Sequence, residues 1–152
     1  MKIALDTNVL AYAEGINDDA RQALAHDLID RLAPAQVVIP VQVLGELFHV
    51  LVRKARRSPA DARQAVLDWH RPFSVIETSS AALLAAADLT VDHRFGLWDA
   101  VILSVSAEAG CRLLLSDDMQ DGFTWRGLTV VNPFVSPQHS LLAPLVTPPR
   151  AL

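Results

Sequence analysis

Short apolar runs alternate along the chain with longer stretches in which apolar residues recur every three or four positions, the pattern of an α/β domain with a mostly parallel central sheet flanked by helices. The expected strands are residues 2–5, 36–39, 73–76, 112–116 and 128–131. Between the first two, residues 19–32 set Leu24, Leu28, Ile29 and Leu32 on one face and Arg21, Asp27, Asp30 and Arg31 on others, the signature of a covering helix. Pro40 suits the first turn of a helix whose apolar face is Leu44, Leu47, Phe48, Leu51 and Val52. A polar stripe, Gln42, Glu46, His49 and Arg53, runs along another side of it. Ser58-Pro59-Ala60-Asp61 combines an N-cap, a first-turn proline and an early acid, so a second helix follows after a turn. Ser79 or Ser80 caps a helix over residues 81–91, and Gly96 precedes another over 97–109, with Gly110 as its stop.

Beyond Asn132 the composition changes. Pro133, Pro137, Pro144, Pro148 and Pro149 are five of the chain's nine prolines, so residues 1–134 are read as the domain and 135–152 as an irregular proline-rich extension. A chain of 152 residues with 51% hydrophobic content has room for a single well-filled core. The net charge of −4 excludes binding of nucleic acid by a general positive field and leaves only a local basic patch. Arg53-Lys54-Ala55-Arg56-Arg57 is the densest basic run, and Arg53 continues the polar stripe. Arg53, Lys54, Arg56 and Arg57 are therefore candidate phosphate contacts; the competing reading is a solvated helix end whose cations complement the C-terminal dipole. The single cysteine, Cys111, excludes an intrachain disulfide and a cysteine metal cluster, which points to the reducing cytoplasm. The apolar run after Met1-Lys2 is too short for a secretory signal, and no stretch approaches transmembrane length, so a soluble protein with no membrane partner is expected.

Acidic residues stand at the edges of these apolar runs. Asp6 ends Ile3-Ala4-Leu5, Glu46 sits in the helix after the second strand, Asp99 interrupts Leu97-Trp98 and Ala100-Val101-Ile102, and Asp117-Asp118 follows Leu113-Leu114-Leu115-Ser116. A carboxylate in an apolar setting is costly unless partnered. Several converging on a hard divalent cation resolve that cost together, and Mg²⁺ keeps waters and substrate phosphate in its remaining positions. Each acid has a plainer reading too: Asp6 as a helix cap, Asp99 as a first-turn acid, Glu46 on a solvated face, and Asp117, Asp118 and Asp121 as turn residues. Asp6 and Asp117-Asp118 nevertheless fall at the carboxyl ends of expected parallel strands, where open α/β sheets bind ligands.

Leu5-Asp6-Thr7-Asn8-Val9-Leu10, Glu46, Trp98-Asp99-Ala100-Val101-Ile102 and Leu114-Leu115-Ser116-Asp117-Asp118 together resemble the PIN-domain nucleases, and within them the VapC-type toxin ribonucleases of toxin-antitoxin pairs. The resemblance covers residues 1–134. It implies a single PIN-like domain and a Mg²⁺- or Mn²⁺-dependent endoribonuclease. Asp6, Glu46, Asp99 and Asp118 would be its catalytic acids, with Asp6 and Asp99 as direct metal ligands. Asp118 is preferred to Asp117 because the family pattern is Ser or Thr, any residue, then the acid. Thr7, Asn8, Ser116 and Asp117 take supporting places. A cognate antitoxin, an RNA substrate and a homodimer are the implied partners. The rival readings are a noncatalytic PIN-like binding module, a PIN nuclease of RNA maturation without an antitoxin, and a phosphohydrolase with an aspartyl-phosphate intermediate. The last would normally have a second acid where this chain has Asn8.

Overall fold

The computed structural model describes residues 1–146. Six strands, β1 (Lys2–Leu5), β2 (Val37–Pro40), β3 (Ser74–Ile76), β4 (Cys111–Leu115), β5 (Thr124–Trp125) and β6 (Leu128–Val131), form one sheet in the order β3-β2-β1-β4-β6-β5. Every neighbouring pair is parallel except β5 with β6. β2 is buried along its whole length and β1 after its first residue, which is why these strands read as unbroken apolar runs rather than alternations.

The helices are α1 (Thr7–Ala13), α2 (Asp19–Arg31), α3 (Val41–Arg53), α4 (Pro59–His70), α5 (Ser80–His93), α6 (Leu97–Glu108) and α7 (Ala143–Val146). Their starts follow local chemistry. Ser58 accepts from the Asp61 amide and Ser79 from the Ala82 amide, so both expected caps are formed. Gly110, at φ +80°, takes the left-handed turn that stops α6 before β4. Pro40 closes β2 instead of opening α3, whose first residue is Val41.

The expected apolar faces of α2 and α3 hold at Leu28, Ile29, Leu32, Leu44, Leu47, Leu51 and Val52 and fail at Leu24 and Phe48. In α2 the buried residues are Ala25 and Leu28, and Leu24 is 52% exposed. Alanine, with no long side chain, lets α2 lie close against α1, and that contact overrides the larger hydrophobe beside it. In α3 the buried stripe is Val43, Leu44, Leu47 and Leu51, leaving Phe48 at the surface.

The extension beyond Asn132 is partly built into the fold. Leu142 is fully buried, Val146 nearly so, and the Arg31 guanidinium donates to the Val146 carbonyl at 3.0 Å. Pro148 and Pro149 lie outside the described residues.

The strand order fixes where a site can form. From β1 the chain steps outward to β2 and β3, then returns to lay β4 on the other side of β1. The crevice outside the carboxyl ends of β1 and β4 is thus a topological switch point, where no crossover covers the strand ends.

Candidate active site

Leu5 pairs with Leu115 across β1 and β4, so the residues that follow them are neighbours. The Asp6 amide donates to the Leu115 carbonyl at 3.0 Å, and the Ser116 amide donates to the Val131 carbonyl at 3.0 Å, which pins both loop starts to the sheet. Asp6 caps α1 with one oxygen and is held by the loop after β4 and by Asn8 with the other. Its Oδ1 accepts from the Thr7 amide at 2.8 Å and caps α1, while its Oδ2 accepts from the Ser116 hydroxyl at 2.7 Å and from Asn8 Nδ2 at 3.3 Å.

Asp6 is 3% exposed. Burial pushes its carboxyl up to about 7; the bonds from Ser116 and Thr7 oppose the rise, and the negative charges of Asp99 and Glu46 add to it. Asp99, in the first turn of α6, is also raised, by partial burial first and then by the charges of Glu46 and Asp118. Acids from β1, α3, α6 and the loop after β4 therefore share one electrostatic neighbourhood.

Glu46 is held by both oxygens. Thr7 Oγ1 donates to one at 2.6 Å, and Gln42 Nε2 donates to the other at 3.2 Å. Thr7 and Gln42 fix where this carboxylate points, at separations of 39 and 4 residues.

Asp117 and Asp118 part company. Asp118 is exposed at the cleft, its amide donating to Ser116 Oγ at 3.2 Å. Asp117 turns away: one oxygen accepts from the Tyr12 hydroxyl at 2.8 Å and pairs with the Arg21 guanidinium, and its other oxygen is buried without a hydrogen-bond partner. Arg21 in turn lies over the rings of Tyr12 and Phe134, at 5.1 and 5.4 Å from their centroids. Tyr12 and Arg21 went unnoticed in the sequence because their partner is about a hundred residues away and no short motif joins them.

A cleft of about 650 Å³ lies between α1, α3 and the start of α6; of the four acids Glu46 and Asp118 line it, and Asp6 and Asp99 do not. Glu46 and Asp118 line it near the sheet edge, and His49 and Lys54 line it farther along α3. Among the expected phosphate contacts, Lys54 reaches the cleft, while Arg53 and Arg56 are exposed elsewhere on the surface. Arg57 is engaged by Glu14, donating to its carboxylate at 2.9 Å and to its backbone carbonyl at 2.7 Å.

The donor set suits a hard divalent cation. It is all oxygen, its central member is buried, and Asp6 and Asp99 are raised by burial first and by neighbouring negative charge second, a conflict that a cation relieves. No three His, Cys, Asp or Glu side chains among the described residues form a preassembled chelate. That fits an ion taking one or two carboxylates directly and filling its other positions with water and phosphate.

The PIN domain family model matches residues 3–123, most of the chain, and the protein belongs to that family. β5, β6 and the extension lie beyond the matched span. Solved structures of similar fold include VapC toxins and their complexes. VapC20 of Mycobacterium tuberculosis, described as a sarcin-ricin loop cleaving toxin, is 23% identical with a TM-score of 0.63, covering 74% of this chain and 87% of that one. A toxin-antitoxin complex from Klebsiella pneumoniae is 23% identical with a TM-score of 0.61, covering 88% and 98%. DNA-bound VapBC from Salmonella typhimurium is 14% identical with a TM-score of 0.60, covering 86% and 96%. At these identities the likeness establishes the fold. No curated protein matches the chain significantly.

Proposed function

We propose that the protein is a Mg²⁺- or Mn²⁺-dependent endoribonuclease and the toxin of a toxin-antitoxin pair. The observation that carries this reading is that Asp6, Glu46, Asp99 and Asp118, from four separate elements, lie within one another's electrostatic reach at the switch point of the sheet, with Asp6 pushed to about 7 and Asp99 raised, each by burial first and by acidic neighbours second. Asp6 and Asp99 are the residues that would hold the cation. Once bound there, it supplies a water of lowered pKa and stabilises charge on the phosphodiester oxygens.

The chain's own groups do the positioning. Ser116 and Asn8 hold Asp6 in place, and Thr7 and Gln42 hold Glu46 so that its carboxylate can orient the attacking water and receive its proton. Asp118, exposed at the opposite rim, completes the acidic wall. Lys54 and His49 give the phosphate chain a less repulsive approach along α3.

The toxin reading rests on the VapC structures of similar fold, several solved with an antitoxin. It brings a cognate antitoxin and a homodimer as partners and the cytoplasm as the compartment; no helix among the described residues is long and apolar enough to cross a membrane.

The test is cleavage of total RNA with Mg²⁺, with Mn²⁺ and with chelator, comparing the parent with Asp99→Asn and mapping the cut ends. Metal-dependent cutting by the parent, lost in the variant, is expected. Cutting that survives chelation, or an equally active Asp99→Asn protein, refutes the assignment.

A further inference from the structure

Trp98 and Gly45 face the same cleft from different helices, and neither is accounted for by the acids. Trp98, in the first turn of α6 beside Asp99, is 56% exposed, with no ring contact or hydrogen bond among the described residues. Leaving the largest aromatic side chain in water forgoes its burial, and this one does so on the wall of the cleft. Gly45 lies inside α3, immediately before Glu46. Glycine weakens a helix interior relative to alanine, and here no steric need offsets that: a β-carbon at this position would meet nothing within 4 Å. The bare stretch of helix therefore leaves open space in the wall of the cleft that the indole also lines.

Resting on the ribonuclease reading above, we propose that Trp98 and Gly45 form a base slot: one unpaired RNA base next to the scissile phosphate stacks on the Trp98 indole and lies against the bare α3 backbone at Gly45. Bases held in a duplex have no free face to offer, so the slot selects single-stranded RNA or a splayed loop. The other walls favour a nucleotide over an apolar peptide side chain. Thr7, Asn8, Gln42, Glu46, His49 and Lys54 set hydrogen-bonding and charged groups among the cleft's apolar lining, with Glu46 and Asp118 at one end and the Lys54 ammonium at the other. Residue 54 lies about 12 Å along the helix from residue 46 at ~1.5 Å per residue, far enough to meet a phosphate beyond the one at the acids.

The experiment compares the parent with Trp98→Ala, Trp98→Phe and Gly45→Leu. Steady-state cleavage of a short single-stranded RNA in Mn²⁺ gives KM, kcat and the cut position. Anisotropy of the same RNA, dye-labelled, with each change placed on an Asp99→Asn background in Ca²⁺, gives affinity without cleavage. Stacking of this kind is worth ~1–3 kcal/mol per base, so Trp98→Ala should raise KM and the dissociation constant roughly 5- to 150-fold and relax the base preference beside the cut. Trp98→Phe should recover most of the loss. Gly45→Leu should weaken RNA as strongly while leaving the urea midpoint equal to or above the parent's, because leucine is the better helix former. Weaker RNA binding with an unharmed fold is the opposite of what structural damage would produce.

Unchanged KM, affinity and cut position in Trp98→Ala and Gly45→Leu overturn the slot and leave the cleft to a protein partner. A parent that binds RNA through Trp98 but cuts none removes the ribonuclease reading and leaves the slot standing. A parent that neither binds nor cuts RNA removes both.

Discussion

Replacing Asp6 with asparagine should stabilise the metal-free protein at alkaline pH and do the reverse, or nothing, in acid. The folded-state carboxyl is raised from 3.8 to about 7. A raised acid contributes stability that is complete below the unfolded value and is lost as pH rises through the folded one. The window here is therefore pH 4 to 7, and at pH 8 the ionised carboxylate costs the apo fold ~4 kcal/mol at ~1.4 kcal/mol per unit, an upper figure. Asparagine removes the charge but keeps one acceptor, so either the Thr7 amide or the Ser116 hydroxyl loses a charge-assisted partner, at ~1–2 kcal/mol. A net gain of ~2 kcal/mol at pH 8 is expected, turning to a loss of ~1 kcal/mol near pH 4.5, where the parent carboxyl is already protonated in the fold. Urea denaturation in chelator at the two pH values reads both numbers. In Mg²⁺ at a hundred times its dissociation constant the parent should gain a further ~2.7 kcal/mol that Asp6→Asn does not. A variant less stable than the parent by the same amount at both pH values would show that Asp6 carries no charge conflict and would sink the reasoning.

Ser116→Ala removes a donor from Asp6, driving its carboxyl further up; Mn²⁺ affinity at pH 7, measured by calorimetry, should fall by ~10-fold or more and recover partly at pH 8.5. Arg21→Ala strips Asp117 of its cation while one oxygen is already unpartnered, so a loss of ~1–3 kcal/mol is expected in denaturant. Adding Asp117→Asn should restore part of that loss, and strict additivity of the two changes would contradict the pairing. Leu142→Ala should cost ~2–4 kcal/mol if the extension belongs to the core; a change within ~0.5 kcal/mol would place it outside.

Much of this arrangement is legible in the residues, for identifiable reasons. β1, β2, β4 and β6 are buried and continuous, so unbroken apolar runs locate them within a residue or so. Ser58, Ser79 and Gly110 announce helix ends through chemistry that needs no tertiary partner. β5 escaped notice because its turn uses Arg126 at φ 47° before Gly127 at φ 80°, and arginine is not a residue that marks such a turn. Leu24 was misplaced because periodicity ranks residues by hydrophobicity, whereas helix packing ranked Ala25 first by size. At the site, the acids were visible as anomalies in apolar surroundings. Of their holders, Thr7, Asn8 and Ser116 were legible only through the family resemblance, and Arg21, which reaches Asp117 across 96 residues, was not legible at all. Nothing local distinguishes those side chains from ordinary surface polar groups.

The Ser116 anchor has a bearing on when the protein becomes active during synthesis. Its amide is fixed by the carbonyl of Val131, on the strand that closes β4, and its hydroxyl orients an aspartate made 110 residues earlier. A ribosome that has produced everything up to α6 has already made Asp6, Glu46 and Asp99, yet that nascent chain lacks β4, so the first aspartate has no orienting hydroxyl. Assembly of the four acids is thus deferred until residues through Val131 have emerged and paired.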